Sequence, residues 1–189
     1  MGDRADRPLV VAVVGSPRPK GNTSILVDAA LGELERRGAR VEKLMLGDYR
    51  LAPCLGHENC ADLQSCPQGD DSERLLAAVY AADGLLLATP VYYENVTAQM
   101  KAFIDRNLFN YSHDVFLTPK VVGLLVVTAE TGLDDTLAAL SRFVALSTEG
   151  DLPVLSMSGF ADAVGDAAGD AELLAAARKL GADMAGVLF

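Results

Sequence analysis

Cysteine is scarce in this chain: three residues among 189, at positions 54, 60 and 66. Three thiols cannot build a disulfide framework, so reduced cysteines and a cytoplasmic setting are expected. Basic charge is also short. Lys and Arg number 16 against 26 Asp and Glu, a net charge of −10. Nucleic acid demands a basic surface and is not an expected partner. Long apolar runs are missing too. The longest, Leu9–Val14 and Val121–Val127, are strand-sized and far short of a bilayer, so no membrane partner is expected either. Met1 to Arg7 is charged and carries no apolar leader segment, which argues against a secretory signal. No internal repeat and no Gly-x-Gly-x-x-Gly dinucleotide fingerprint occurs. The order Lys20-Gly21-Asn22-Thr23 also puts no lysine after the glycine to reach a terminal phosphate, which disfavours a nucleotide hydrolase.

Half of the residues are hydrophobic, enough for one α/β domain over residues 1–189 with a sizeable core. Strand-like and helix-like segments alternate. Leu9–Val14, Val41–Leu46, Gly84–Thr89, Val121–Val127 and Leu152–Met157 read as strands, the last at an edge because of Pro153. Ser24–Arg37, Ser72–Ala82, Val96–Asn107, Leu133–Leu146 and Asp170–Leu188 read as helices. In the first, Leu26, Ala30 and Leu34 recur at i+4; in the last, Leu173, Ala177, Leu180, Met184 and Val187 form a stripe. Residues 47–71 form a long irregular insert, and 160–171, rich in Ala, Gly and Asp, reads as a mobile loop. Strands that are each followed by a helix, and apolar throughout rather than alternating, predict a parallel sheet covered on both faces. Ligands of such sheets sit beyond the carboxyl ends of the strands.

Two loops lie at those ends and carry chemistry. The first is Gly15-Ser16-Pro17-Arg18-Pro19-Lys20-Gly21-Asn22-Thr23-Ser24, between the first strand and the first helix. A helix start offers free N–H groups with partial positive charge, the hydroxyls add donors, and Arg18 adds a planar cationic fork. This suits a phosphate. The same loop also reads as an ordinary turn capped by Thr23 or Ser24. The second is Pro90-Val91-Tyr92-Tyr93-Glu94-Asn95-Val96, followed by Thr97 to Arg106. Taken alone, its tyrosines fit a packed edge pair and Asn95 or Thr97 fits a helix cap. Lys101 and Asp105 stand at i,i+4 and, with Arg106, read as a helix-face ion pair or a subunit contact.

Together these stretches resemble the flavodoxin-like NAD(P)H-dependent FMN reductase family, in particular its iron–sulfur flavoprotein branch and the cluster-free relatives of that branch. The likeness rests on Gly15-Ser16-Pro17-Arg18, Gly21-Asn22-Thr23, Pro90-Val91-Tyr92, Lys101-x-Phe103-x-Asp105-Arg106 and the Asp70-Asp71 pair. It implies a three-layer sandwich whose five-stranded parallel sheet has the order 2-1-3-4-5, with helices on both faces. It implies that Ser16, Arg18, Asn22, Thr23 and Ser24 hold an FMN phosphate. Pro90, Val91, Tyr92, Tyr93, Asn95 and Val96 then lie along the flavin ring, with backbone N–H groups at a helix start facing it. Thr128 opens a third flavin loop, Thr128 to Gly132, that is poor in glycine.

The resemblance further implies an enzyme using NADPH or NADH and passing electrons through FMN to a quinone, a free flavin or another small acceptor. FMN carries the chemistry, so no side chain is assigned as catalytic acid or base. The alternative is an electron-transfer flavoprotein, with or without an iron–sulfur cluster. A homodimer or homotetramer is implied as well. Cluster-bearing relatives hold four iron atoms with a compact run of four cysteines, where this chain has Cys54, His57, Cys60 and Cys66. A Cys3His set is chemically open to a cluster or to zinc. The favoured reading of the insert is a metal-free loop near the flavin. His113 is assigned no role.

Overall fold

The computed structural model describes residues 7–189. The charged start from which the absence of a leader was argued lies, apart from Arg7, outside the described residues.

Five strands form one parallel sheet: β1 (Leu9–Val14), β2 (Arg40–Met45), β3 (Gly84–Pro90), β4 (Val121–Thr128) and β5 (Val154–Phe160). Their order is β2-β1-β3-β4-β5. β1 is an interior strand, and its residues are apolar on both faces. Val10 to Val14 are fully buried, paired on one side with Val41 to Met45 and on the other with Gly84 to Ala88. Helix α1 (Asn22–Arg36) and helix α6 (Ala171–Leu188) cover one face. Helices α2 (Ser72–Tyr80), α3 (Ala98–Arg106) and α5 (Leu133–Ser147) cover the other. A single turn, α4 (Leu108–Tyr111), follows α3. The three-layer sandwich and strand order match the expectation.

The Leu26, Ala30 and Leu34 stripe of α1 is fully buried. Each such leucine contributes on the order of 1.5–3 kcal/mol relative to an exposed one. On α6 the stripe runs Ala177, Leu180, Met184 and Leu188, whereas Val187 is 40% exposed. The expected end of that stripe is therefore displaced by one residue. Gly181 lets α6 approach α1 closely: a Cβ there would stand 2.3 Å from the Ala30 carbonyl oxygen.

Several boundaries differ from the sequence reading. α1 starts two residues early, capped by Gly21 rather than by Thr23 or Ser24. α3 starts late, because Thr97 is extended and caps it, its hydroxyl oxygen accepting from the Met100 N–H. β5 starts and ends later than expected. Its last residues, Gly159 and Phe160, pair with Val127 and Thr128, while Pro153 lends only its carbonyl, to the Val122 N–H. Segment 161–169 is folded rather than loose. It contains a 3-10 turn at Asp166–Ala168, and Ala167 is fully buried.

Arg106 corrects the reading of α3. It is not on the helix face: its residue is 3% exposed. Its guanidinium bonds Asp70 (2.5 Å), Ser72 Oγ (2.6 Å), the Ala52 carbonyl (3.1 Å) and Cys66 Sγ (3.2 Å). It thus gathers both arms of the 47–71 insert. Lys101 and Asp105 do form the surface pair, at 2.5 Å.

Candidate functional site

The carboxyl ends of β1 and β3 run directly into two loops that border a cleft of about 120 Å3. β1 is also where the chain reverses direction of winding, between β2 and β3, the position at which such sheets leave a crevice. Ser16, Arg18, Gly21, Asn22 and Thr23 form one wall; Pro90, Val91, Tyr92 and Thr128 form another; Ala161 and Asp162 close the third.

Loop 15–21 is held from within. Ser16 Oγ accepts from the Arg18 N–H (3.2 Å), and the Gly21 N–H donates to the Arg18 carbonyl (3.0 Å). The first helical bond of α1 runs from the Ile25 N–H to the Gly21 carbonyl. The N–H groups of Asn22, Thr23 and Ser24 therefore precede the ladder, the usual orphans of a helix start. Thr23 is 2% exposed, borders the cleft, and its hydroxyl finds no protein partner among the described residues. Arg18 is exposed at the rim, and no described carboxylate pairs with it. An unpaired guanidinium, an unspent hydroxyl and unspent N–H groups at a fifteen-residue helix's start form a donor set for an anion. They fit the phosphate end of FMN.

The other expected phosphate residues are placed differently. Ser24 is 1% exposed and outside the cleft; its hydroxyl donates to the Pro19 carbonyl (2.7 Å) and accepts from Lys43 Nζ (2.7 Å). The Asn22 side chain turns to segment 161–167 instead of into the cleft opening.

Loop 90–97 is a tight hairpin turn. The Tyr92 N–H donates to the Asn95 carbonyl (2.9 Å) and the Asn95 N–H to the Tyr92 carbonyl (3.2 Å). Tyr93 and Glu94 between them have φ of 49° and 60°, the left-handed pair that a type I′ turn requires and that glycine usually supplies. The expectation that this loop's N–H groups face a ring at a helix start is only partly met. Those of Val91, Tyr92, Asn95, Val96 and Thr97 are spent on Val127, Asn95, Tyr92, Asn95 Oδ1 and Thr89 Oγ1. Tyr93 and Glu94 keep theirs. Val96 is 8% exposed and packs in the core, while Tyr93 stands fully in solvent. Asn95 uses its side chain on the neighbouring Val96 N–H (2.8 Å).

Two contacts lock this turn to its surroundings. Thr97 Oγ1 donates to the Gly15 carbonyl (2.7 Å), joining the first two loops. Thr131 Oγ1 donates to Glu94 (2.5 Å), joining the second and third. Within the third, Thr128 Oγ1 donates to the Thr131 carbonyl (2.7 Å) and accepts from the Glu130 N–H (3.3 Å). Sequence reasoning placed Gly21 and Ala129 within flavin loops but missed Val127, Ala161 and Asp162 as cleft residues. Only the pairing of β5 with β4 brings 161–162 there.

The insert does not assemble a metal site. Among the described residues no three His, Cys, Asp or Glu side chains converge as ligands. Cys54, Cys60 and Cys66 are half-buried free thiols. Cys54 Sγ accepts from the Gly56 N–H (3.4 Å) and Cys66 Sγ from Arg106. The four candidate positions thus do not fit a cluster or zinc as they stand. No described helix is long and apolar enough to cross a membrane.

Comparison with known proteins gives this geometry its context. The model of the family described as NADPH-dependent FMN reductase matches residues 8–150. A protein of Archaeoglobus fulgidus named iron-sulfur flavoprotein is 41% identical over 175 residues, 93% of this chain and 78% of the relative. One of the same name from Methanosarcina thermophila is 32% identical over 118 residues, 62% of each chain. Among solved structures, an NAD(P)H:quinone oxidoreductase from Methanothermobacter marburgensis superposes with a TM-score of 0.70 at 18% identity, over 93% of this chain and 96% of that one. RosB superposes at 0.74 with 16% identity, over 96% and 79%. Likeness at that identity establishes the fold.

Proposed function

This chain belongs to the NADPH-dependent FMN reductase family and is an NAD(P)H-dependent flavin oxidoreductase; on that premise we propose that it serves a small two-electron acceptor of the quinone or flavin class. The carrying observation is the donor set at the α1 start: unpaired Arg18, the free Thr23 hydroxyl and the first-turn N–H groups, all at one end of the cleft. FMN, when bound, supplies the two-electron transfer between nicotinamide and acceptor. Arg18, Thr23 and the helix N–H groups would hold its phosphate, and Ser16 fixes the turn that presents them. Pro90, Val91, Tyr92 and Thr128 border the ring-binding part.

This reading leaves one ring face open to a second molecule beside the 90–97 turn, whose tip is exposed. Tyr93, fully exposed on the turn beside that opening, is suited to contact a planar substrate. The N–H groups of Tyr93 and Glu94 are left unpaired and would be the loop's donors to a bound ring. A homo-oligomer is supported by the exposed Leu108, Tyr111 and Leu146 around a 610 Å3 groove between α3, α4 and α5.

Initial rates with NADPH and a water-soluble quinone test this reading. Because both substrates use one open face, double-reciprocal plots at several fixed quinone concentrations run parallel. Intersecting lines, or a colourless protein that takes up no added FMN, overturn it.

A further inference from the structure

Asn22 opens α1 within the stretch that the resemblance assigns to phosphate, yet its amide is already fully committed elsewhere. Nδ2 donates to the Ala163 carbonyl (2.8 Å) and reaches the Ala161 carbonyl at 3.4 Å. Oδ1 accepts from the Gly165 N–H (2.9 Å) and the Ala167 N–H (3.2 Å). An amide has two N–H donors and two acceptor lone pairs, and all are used by one segment about 140 residues away in sequence. The orientation is fixed as well: turning the amide over would set Oδ1 against two carbonyl oxygens and Nδ2 against two N–H groups. Nothing remains for a phosphate.

The segment it holds is a wall of the cleft. Ala161 and Asp162 face Arg18, Thr23 and Thr128 across it. Other bonds shape the segment but do not tie it to α1: Ala161 N–H to the Thr128 carbonyl (2.9 Å) and Ala163 N–H to Asp166 (2.8 Å). Its composition, rich in Ala, Gly and Asp, gives few side chains to pack. Gly165 sits at φ 95°, a conformation glycine permits, and leads into the 3-10 turn at Asp166–Ala168; these local features shape the segment but do not by themselves place it against α1.

We infer that Asn22 is a positioning residue, not a phosphate ligand: it pins the β5–α6 segment to the start of α1 and so sets the width of the flavin cleft. The inference rests on the reading that this cleft holds FMN. It separates Asn22 from Arg18, which that reading assigns to the phosphate alone. A phosphate ligand matters to FMN and not to riboflavin, which lacks the phosphate. A wall-setting residue matters to both.

The test is the affinity of apoprotein for FMN and for riboflavin, by quenching of flavin fluorescence, in the unaltered protein, N22A, N22D and R18A. Expected for N22A is a similar loss for both ligands, on the order of ten-fold from the lost hydrogen bonds. R18A weakens FMN alone. N22D keeps the acceptor for Gly165 and Ala167 but loses both donors, so it weakens riboflavin as N22A does; its new charge, next to the phosphate donors, adds a further penalty for FMN. Amide hydrogen exchange at Gly165 and Ala167 accelerates in N22A. A loss confined to FMN in N22A or N22D, or unchanged affinity for both, overturns the inference. If the unaltered protein binds neither flavin, the cofactor reading itself fails, a result distinct from either.

Discussion

The guanidinium of Arg106, at the end of α3, and the carboxylate of Asp70, at the end of the insert, meet at 2.5 Å with side chains only 2% and 11% exposed. Burying two charges is costly unless every remaining donor and acceptor is matched. Here they are matched: Arg106 also serves Ser72, Cys66 and the Ala52 carbonyl, and Asp70 accepts from the Ala52 and Ser72 N–H groups. Arg106→Leu leaves a buried carboxylate without its cation and costs about 3–5 kcal/mol. Urea denaturation measures it; a loss below about 1 kcal/mol would show that the pair behaves as a surface one.

The same pair sets an acid dependence. Burial works to raise the Asp70 pKa, but the hydrogen bonds from Arg106, Ala52 and Ser72 outweigh it and hold the carboxyl well below the usual carboxylate range. A depressed folded value stabilises the protein fully above the unfolded value, near ~4, and the benefit is lost as pH falls toward the folded value. Asp70→Asn is therefore less stable at neutral pH and loses less stability below about pH 4. Urea midpoints at neutral pH and along the acid limb check the sign; parallel profiles for the two proteins would rule Asp70 out as a source.

Much of this was legible in the chain. The apolar runs Leu9–Val14, Gly84–Thr89 and Val121–Val127 require burial on both faces, and only a covered parallel sheet provides it. The first two site loops were legible because they lie next to their strands in sequence. Asn22 and Arg106 were not legible in their actual roles. Each is defined by partners brought in by tertiary packing: Ala161 to Ala167 for one, Ala52, Cys66 and Asp70 for the other. Local spacing puts Arg106 beside Asp105 and suggests a surface charge, whereas its side chain reaches into the insert. Segment 161–169 read as loose because its composition is rich in Ala, Gly and Asp; its order comes from the Asn22 hydrogen bonds, the 3-10 turn and the buried Ala167.

Thr97 links the first two flavin-site loops with one buried hydroxyl. Its Oγ1 donates to the Gly15 carbonyl at 2.7 Å and accepts from the Met100 N–H at 3.2 Å, and the residue is fully buried. Thr97→Val keeps the shape and removes both bonds, leaving a buried carbonyl and a helix-start N–H unmatched. A loss of about 1–3 kcal/mol in stability follows, with weaker FMN binding because Gly15 anchors the phosphate loop. Denaturation and flavin titration of the variant test the two parts separately. Full stability would show that water replaces the hydroxyl.

Gly132 guards the contact between the second and third loops. Its φ is +84°, and a Cβ there would lie 2.7 Å from Val91 Cγ1 and 2.8 Å from the Glu94 Cα. Gly132→Ala thus forces apart the turn that carries Tyr93 and the bond between Thr131 and Glu94. The expected result is a destabilisation of roughly 1–3 kcal/mol, together with faster release of FMN. Thermal melting and stopped-flow release measure these; an unchanged release rate would mean that the turn does not hold the ring.

The insert raises the sharpest contrast with the relatives named iron-sulfur flavoproteins. The second position of the four-ligand run is His57 here, and the described side chains of the run do not converge. What closes the insert is Arg106, whose buried cation binds the Ala52 carbonyl before the run, and Cys66, Asp70 and Ser72 at and beyond its end. A loop closed by a matched ion pair has no need of a metal to hold its ends together. Protein purified without oxygen is therefore expected to contain far less than one iron or zinc per chain and to yield three titratable thiols per chain when denatured. A chelator leaves its urea midpoint unchanged, while Arg106→Leu shifts it. Stoichiometric iron, with a chelator-sensitive midpoint, would mean that Cys54, His57, Cys60 and Cys66 close around a cluster and that Arg106 only supports it.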